Sequence, residues 1–92
     1  MDTNAIMLNI DGERTAELLK TAREQLGNAN NELILDFSNV QRLDAPGLRA
    51  FEELVAAAEE KSITLVLHSA NVDVYKVLKL VKLAPKVTLV HS

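Results

Sequence analysis

Two carboxylates, Asp36 and Asp44, flank a short polar stretch and are the first candidates for chemistry in this chain of 92 residues. A pair of this kind at a strand end would suit a phospho-accepting site or a hard cation. A hard cation needs several convergent oxygens, and a phospho-accepting site needs an acidic cluster and a lysine on a later strand. The later apolar runs end instead in His68 and His91, and Asp36 reads as a turn-former closing its strand. Neither histidine has a recognisable partner for general-base work, and two isolated histidines without any cysteine make no zinc site. No serine sits in a G-x-S-x-G elbow. The sequence therefore names no catalytic residue, no cofactor-binding residue and no metal ligand.

The strongest remaining constellation is Asp44-Ala45-Pro46-Gly47. Pro46 suits the first turn of a helix, where its missing N–H costs nothing, and it pushes Ala45 towards extended backbone angles. Asp44 favours the positive end of a helix dipole and Gly47 permits close packing. A helix is expected to start at Ala45 or Pro46. Its N-terminus would attract an anion, but a single glycine with no following Lys-Ser or Lys-Thr is not a phosphate loop.

The elements that must hold this helix start follow from apolar spacing. Ala5 to Ile10, stopped by Asp11-Gly12, reads as a strand and a turn. Thr15 is expected to cap a helix in which Leu18, Leu19, Ala22 and Leu26 share a stripe, with Gly27 ending it. Leu33 to Phe37 and Ile63 to Leu67 are near-continuous apolar runs, the pattern of strands covered on both faces. Leu48, Phe51, Leu54, Val55 and Ala58 mark the buried side of the second helix, with Arg49, Glu52, Glu53, Glu59 and Glu60 mostly on the other. Val74, Val77, Leu78 and Val81 do the same for a last helix, which Pro85 closes shortly after Leu83. Val87 to Val90 is a fourth strand. Strand and helix alternate throughout, so the expected fold is α/β: one domain spanning residues 1–92, a small four-stranded sheet, mostly parallel or mixed, and three main helices joined by right-handed crossovers.

Composition narrows the partners. Ten basic against thirteen acidic residues give a net charge of -3, and three aromatic residues are too few for a base-stacking surface, so nucleic acid is not an expected partner. No apolar run is long enough to span a bilayer, and no basic segment followed by an apolar one opens the chain. A soluble, cytoplasmic protein is expected, and the absence of cysteine fits a reducing compartment. Charge is uneven. Residues 49–60 carry one positive and four negative side chains, residues 71–86 four positive and one negative. Two solvated helix faces account for this most simply, and steering of different partners is the alternative.

The run LILDFSNVQRLDAPGL, Leu33 to Leu48, resembles the core of the STAS family, found in bacterial anti-sigma-factor antagonists and attached to several transporters. Asp36-Phe37-Ser38 stands where that family has Asp-Leu-Ser, and Asp44-Ala45-Pro46-Gly47-Leu48 where it has Asp-Ser-Ser-Gly-Leu or Asp-Thr-Ser-Gly-Leu. Ala70 to Leu80 is similar to its final helix, so the likeness runs from about Ile6 to Val90. The resemblance implies a non-catalytic module that binds a protein partner through Asp44, Ala45, Pro46, Gly47, Leu48, Arg49, Glu52 and Glu53. The implied partner is an anti-sigma factor of serine-kinase type or, alternatively, the subunits of an ABC transporter for lipid, whose small STAS accessory proteins share the Val-Tyr and Leu-Ala or Leu-Lys pattern of the last helix and often lack the usual serine. The family's regulatory serine aligns with Pro46, which has no hydroxyl to phosphorylate. The family's usual extra N-terminal strand is not apparent, and a bare sheet edge would invite homodimerisation.

Overall fold

The computed structural model describes residues 6–28 and 31–90; Ala5 and His91 lie outside them. Four strands, β1 (Ile6–Asn9), β2 (Glu32–Asp36), β3 (Thr64–His68) and β4 (Thr88–Val90), form one sheet in the order β1-β2-β3-β4. Every neighbouring pair is parallel, which settles the mostly parallel or mixed expectation. The crossovers are α1 (Thr15–Gln25), α2 (Ala45–Glu60) and α3 (Val72–Leu80), with short 3₁₀ turns at Leu26–Asn28 and Ala84–Lys86.

Strictly sequential parallel strands put every helix on the same face of the sheet when all crossovers share one hand, as such crossovers nearly always do. The core agrees. Leu33, Leu35, Leu65 and Leu67 from alternate sheet positions are buried with Leu19 and Ala22 of α1, Phe51, Leu54, Val55 and Ala58 of α2, and Val74 and Leu78 of α3. The ring of Phe37, just past β2, meets Phe51 edge-on with centroids 6.1 Å apart. The intervening residues Met7, Ile34, Val66 and Thr88 pair across all four strands and belong to the other face. Met7 and Thr88 are exposed, Ile34 is half-buried, and Val66, in the middle of the sheet, is buried but stands outside the core cluster. The expectation that the two central strands are covered on both faces is therefore corrected: the described residues form two layers, one of helices and one of sheet. An apolar residue on an uncovered sheet face reads in sequence like one in a core, because its flanking strands already shelter it.

The first loop differs from its sequence reading. Thr15 lies inside α1 and not at its cap, and its hydroxyl donates back to the carbonyls of Asp11 and Gly12 at 3.1 and 3.2 Å. Asp11 organises the turn by accepting from the Glu13 N–H at 2.9 Å. Gly12 is required by close approach: a Cβ there would stand 2.3 Å from the Asn39 carbonyl oxygen. Gly27 falls within the 3₁₀ turn that follows α1, so the helix itself stops two residues earlier, at Gln25.

Both longer turns after the helices are made without glycine. Ser62 (φ 57°) follows α2 and Lys82 (φ 64°) follows α3. At the first, the Ile63 N–H reaches the Ala58 carbonyl and the Ser62 N–H that of Glu59; at the second, the Leu83 N–H reaches Leu78 and the Lys82 N–H reaches Lys79. Each is a Schellman closure, with a left-handed residue and an apolar contact sealing the helix end.

Candidate functional site

The connection from β2 to α2 is built residue by residue. Asp36 accepts from the Ser38 N–H at 2.9 Å, and the Val40 N–H closes the turn on the Phe37 carbonyl. The buried side chains of Val40 and Leu43 then pin an extended stretch against the core. Asp44 has extended angles (φ -80°, ψ 178°), and its Oδ1 accepts from the Gly47 N–H at 2.9 Å, satisfying one of the unpaired donors of the helix N-terminus. The helix starts at Ala45, as the proline spacing implied.

Six of the eight residues expected to bind a partner are exposed: Asp44, Ala45, Pro46, Arg49, Glu52 and Glu53. Leu48 is half-buried, and Gly47 is fully inside, where a Cβ would come within 2.9 Å of the capping carboxylate and 3.2 Å of Leu43. Gly47 thus shapes the surface from below and offers no side of it. Glu53 pairs with Arg23 of α1 at 3.6 Å. Ala45, Pro46 and Arg49 line a shallow groove with Ala16 and Lys20 of α1.

Asn71 holds this surface in place, and its part was not read from the sequence. It caps α3, its Oδ1 accepting from the Val74 N–H at 2.9 Å. Its amide donates to the carbonyls of Gln41 (2.9 Å) and Val40 (3.3 Å), thirty residues earlier, and so ties the start of α3 to the stretch that leads into α2. An Asn before an apolar run signals a helix cap, but nothing local signals the second pair of contacts.

The two carboxylates considered for chemistry are each engaged by their own turn. The Ser38 backbone and side-chain hydrogen bonds hold the Asp36 carboxyl below the usual aspartate value, with a further contribution from His68, while partial burial opposes the shift. His68 is the in-register neighbour of Asp36 on the uncovered sheet face, a partner not seen in the sequence. Among the described residues no three His, Cys, Asp or Glu side chains gather where they would hold a metal ion, and no helix is long and apolar enough to cross a membrane.

A family sequence model described as "Mlab, STAS domain" matches residues 2–90. The chain belongs to the STAS family. This STAS chain is also similar in fold to solved structures. One is a candidate anti-sigma-factor antagonist from Thermotoga maritima, 24% identical, with a TM-score of 0.70, covering 100% of this chain and 76% of that one. Another is a sulfate transporter family protein from Wolinella succinogenes, 20% identical, with a TM-score of 0.79, covering 99% of this chain and 80% of the other. No curated protein matches this STAS chain significantly. At these identities the structural likeness establishes the shared α/β fold, with its parallel sheet and three crossover helices, and leaves partner and residue roles to be argued from the site.

Proposed function

We propose that this STAS chain is a non-catalytic module that docks on a protein partner through the start of α2, in a state that phosphorylation of that start does not switch. The observation that carries the reading is the helix start itself. Ala45 and Pro46 stand exposed where the family presents hydroxyls, Asp44 is held as a cap, and Arg49 and Glu52 continue the same outward face. A phosphate in this place adds a charge of roughly -1.5 to -2 beside the docking face, which disrupts a complex when acidic groups are near. Here neither Ala45 nor Pro46 accepts one, and Ser38 is the nearest hydroxyl in sequence. By resemblance the partner is an anti-sigma factor of serine-kinase type, so that the module acts as an antagonist in transcription control.

A second reading, as accessory subunit of an ABC transporter for lipid, is favoured by the match to the Mlab sequence model and by the missing acceptor. One titration separates the two: the purified chain against a serine-kinase anti-sigma factor and against the ATPase subunit of a lipid transporter from the same cell. Glu52→Lys with Glu53→Lys should weaken the genuine complex at least tenfold while lowering stability by no more than about 1 kcal/mol, the exposed pair of Glu53 with Arg23 included. Unchanged affinity in that variant means α2 is not the docking face. Incubation with the kinase and ATP should leave the intact mass unaltered, and a phosphorylated wild type would refute permanent competence.

A further inference from the structure

The outward side of α3 carries a second stripe. Val72, Tyr75, Lys76, Lys79 and Leu80 recur at helical spacing, opposite the buried Val74 and Leu78. Val72 is 65%, Tyr75 40% and Leu80 81% exposed, so three of the five outward positions spend apolar or aromatic surface on solvent. The Lys79 ammonium lies 5.8 Å from the centre of the Tyr75 ring. A helix that is apolar on both sides is one that expects a neighbour on both.

Beside it in the same layer, α2 turns outward a face of opposite character. Glu52, Glu53, Glu59 and Glu60 surround the exposed Ala56 at spacings of three and four residues, which makes a shallow seat walled by carboxylates. Lys86, in the turn beyond α3, reaches Glu59 of α2 at 3.4 Å. With Arg49 counted, the α2 segment sums to -3; with Asp73 counted, α3 and its following turn sum to +3.

We propose that a second copy of this chain occupies the α3 stripe, the two copies pairing through their helix layers with α3 of each lying on α2 of the other. The symmetry argues for it. A two-fold axis running along the helices in the plane of contact places each α3 over the opposite α2 and keeps their directions parallel, so one operation matches both basic faces to both acidic ones and closes the assembly. Lys76 and Lys79 of each stripe meet glutamates of the opposite α2, which makes the surface self-complementary, and Val72 and Leu80 are desolvated against the small Ala56 region. An anionic membrane fits less well, because the glutamates of α2 would be carried against it and α3 has no bulky aromatic anchor beyond Tyr75. Glu52 belongs to this contact and to the proposed docking surface, so pairing and partner binding exclude each other.

Sedimentation velocity on the purified chain, without any partner, is the test, and its failure would leave the docking function untouched. The wild type should be a dimer at about 0.1 mM protein in 50 mM salt and shift towards monomer in 1 M salt, where charges are screened beyond roughly 3 Å. Lys76→Glu with Lys79→Glu, Glu52→Lys with Glu60→Lys, and Leu80→Ser should each be monomeric with unchanged circular dichroism. Mixing the two charge-reversed variants should restore a one-to-one dimer, which also shows that neither has lost its fold. A wild type that stays monomeric to about 1 mM overturns the proposal. So does a dimer that survives all the substitutions, which would indicate pairing at a sheet edge. Monomeric chain that floats with phosphatidylglycerol vesicles, and loses this with the lysine reversals, would assign the stripe to lipid and equally refute it.

Discussion

Asn71 allows helix capping and long-range tethering to be separated at one residue. Aspartate caps a helix as well as asparagine does, so Asn71→Asp keeps the bond from the Val74 N–H but loses both amide donors and sets a carboxylate oxygen against the carbonyls of Gln41 and Val40. Asn71→Ala loses everything. A cap of this type is worth about 1 kcal/mol. A neutral hydrogen bond contributes roughly 0.5–1.5 kcal/mol, and because Asn71 is exposed the low end of that range applies to its two amide contacts taken together. Asn71→Ala should therefore cost about 1.5 kcal/mol and Asn71→Asp about 0.5–1 kcal/mol, the repulsion included. For a domain of this size each kcal/mol moves the melting temperature by roughly 4–8 °C, so the alanine variant should melt about 6–12 °C lower. Urea titration with linear extrapolation resolves the three proteins if the slope m stays constant. If Asn71→Asp matches the wild type, the contacts to residues 40 and 41 do no work. If it matches Asn71→Ala, the cap contributes nothing and the magnitudes above are wrong.

Two further outcomes follow from the backbone and the charges. Ser62→Gly and Lys82→Gly should each stabilise by about 0.5–1 kcal/mol in the same titration, since a left-handed residue with a Cβ costs roughly 1–2 kcal/mol and glycine's greater freedom in the unfolded chain returns only part of it; destabilisation by both would mean that these turns are not left-handed in solution. The depressed Asp36 carboxyl contributes stability that is present above the unfolded aspartate value near pH 4 and is lost as pH falls through the lower folded value, so Asp36→Asn should flatten the acid limb of a stability-against-pH curve below about pH 4 and leave its neutral slope alone. An unaltered acid limb would show that the Ser38 turn does not hold the charge.

What was legible in the sequence was local. Proline two residues after Asp44 marked the helix start, and apolar spacing at Leu48, Phe51, Leu54, Val55 and Ala58 marked its inner face, because cap chemistry and helical period are properties of a few consecutive residues. What was not legible depends on residues far apart. LILDF and ITLVL look the same whether their second face meets helices or solvent, so the two-layer arrangement could not be read. The Schellman turns at Ser62 and Lys82 lacked the glycine that announces them. Within the proposed docking surface, the motif alone gives no sign that Gly47 is buried, and its burial against Leu43 and Thr15 emerges only when α1 is packed beside it.

The uninterrupted strand order has a consequence for how the chain folds and frays. Ile6 pairs with Leu33, Leu33 with Leu65, and Val66 with Thr88. Each pairing closes a segment of roughly 20–35 residues, and closure entropy grows only with the logarithm of such lengths. No step waits for the two ends of the chain to meet. The sheet can grow one crossover at a time from the β2–β3 pair, which has five residues in register, and it should come apart in the reverse order. β4 is held through three residues along a single edge. Its amides are the ones to exchange with solvent through partial opening, well before the centre of the sheet lets go.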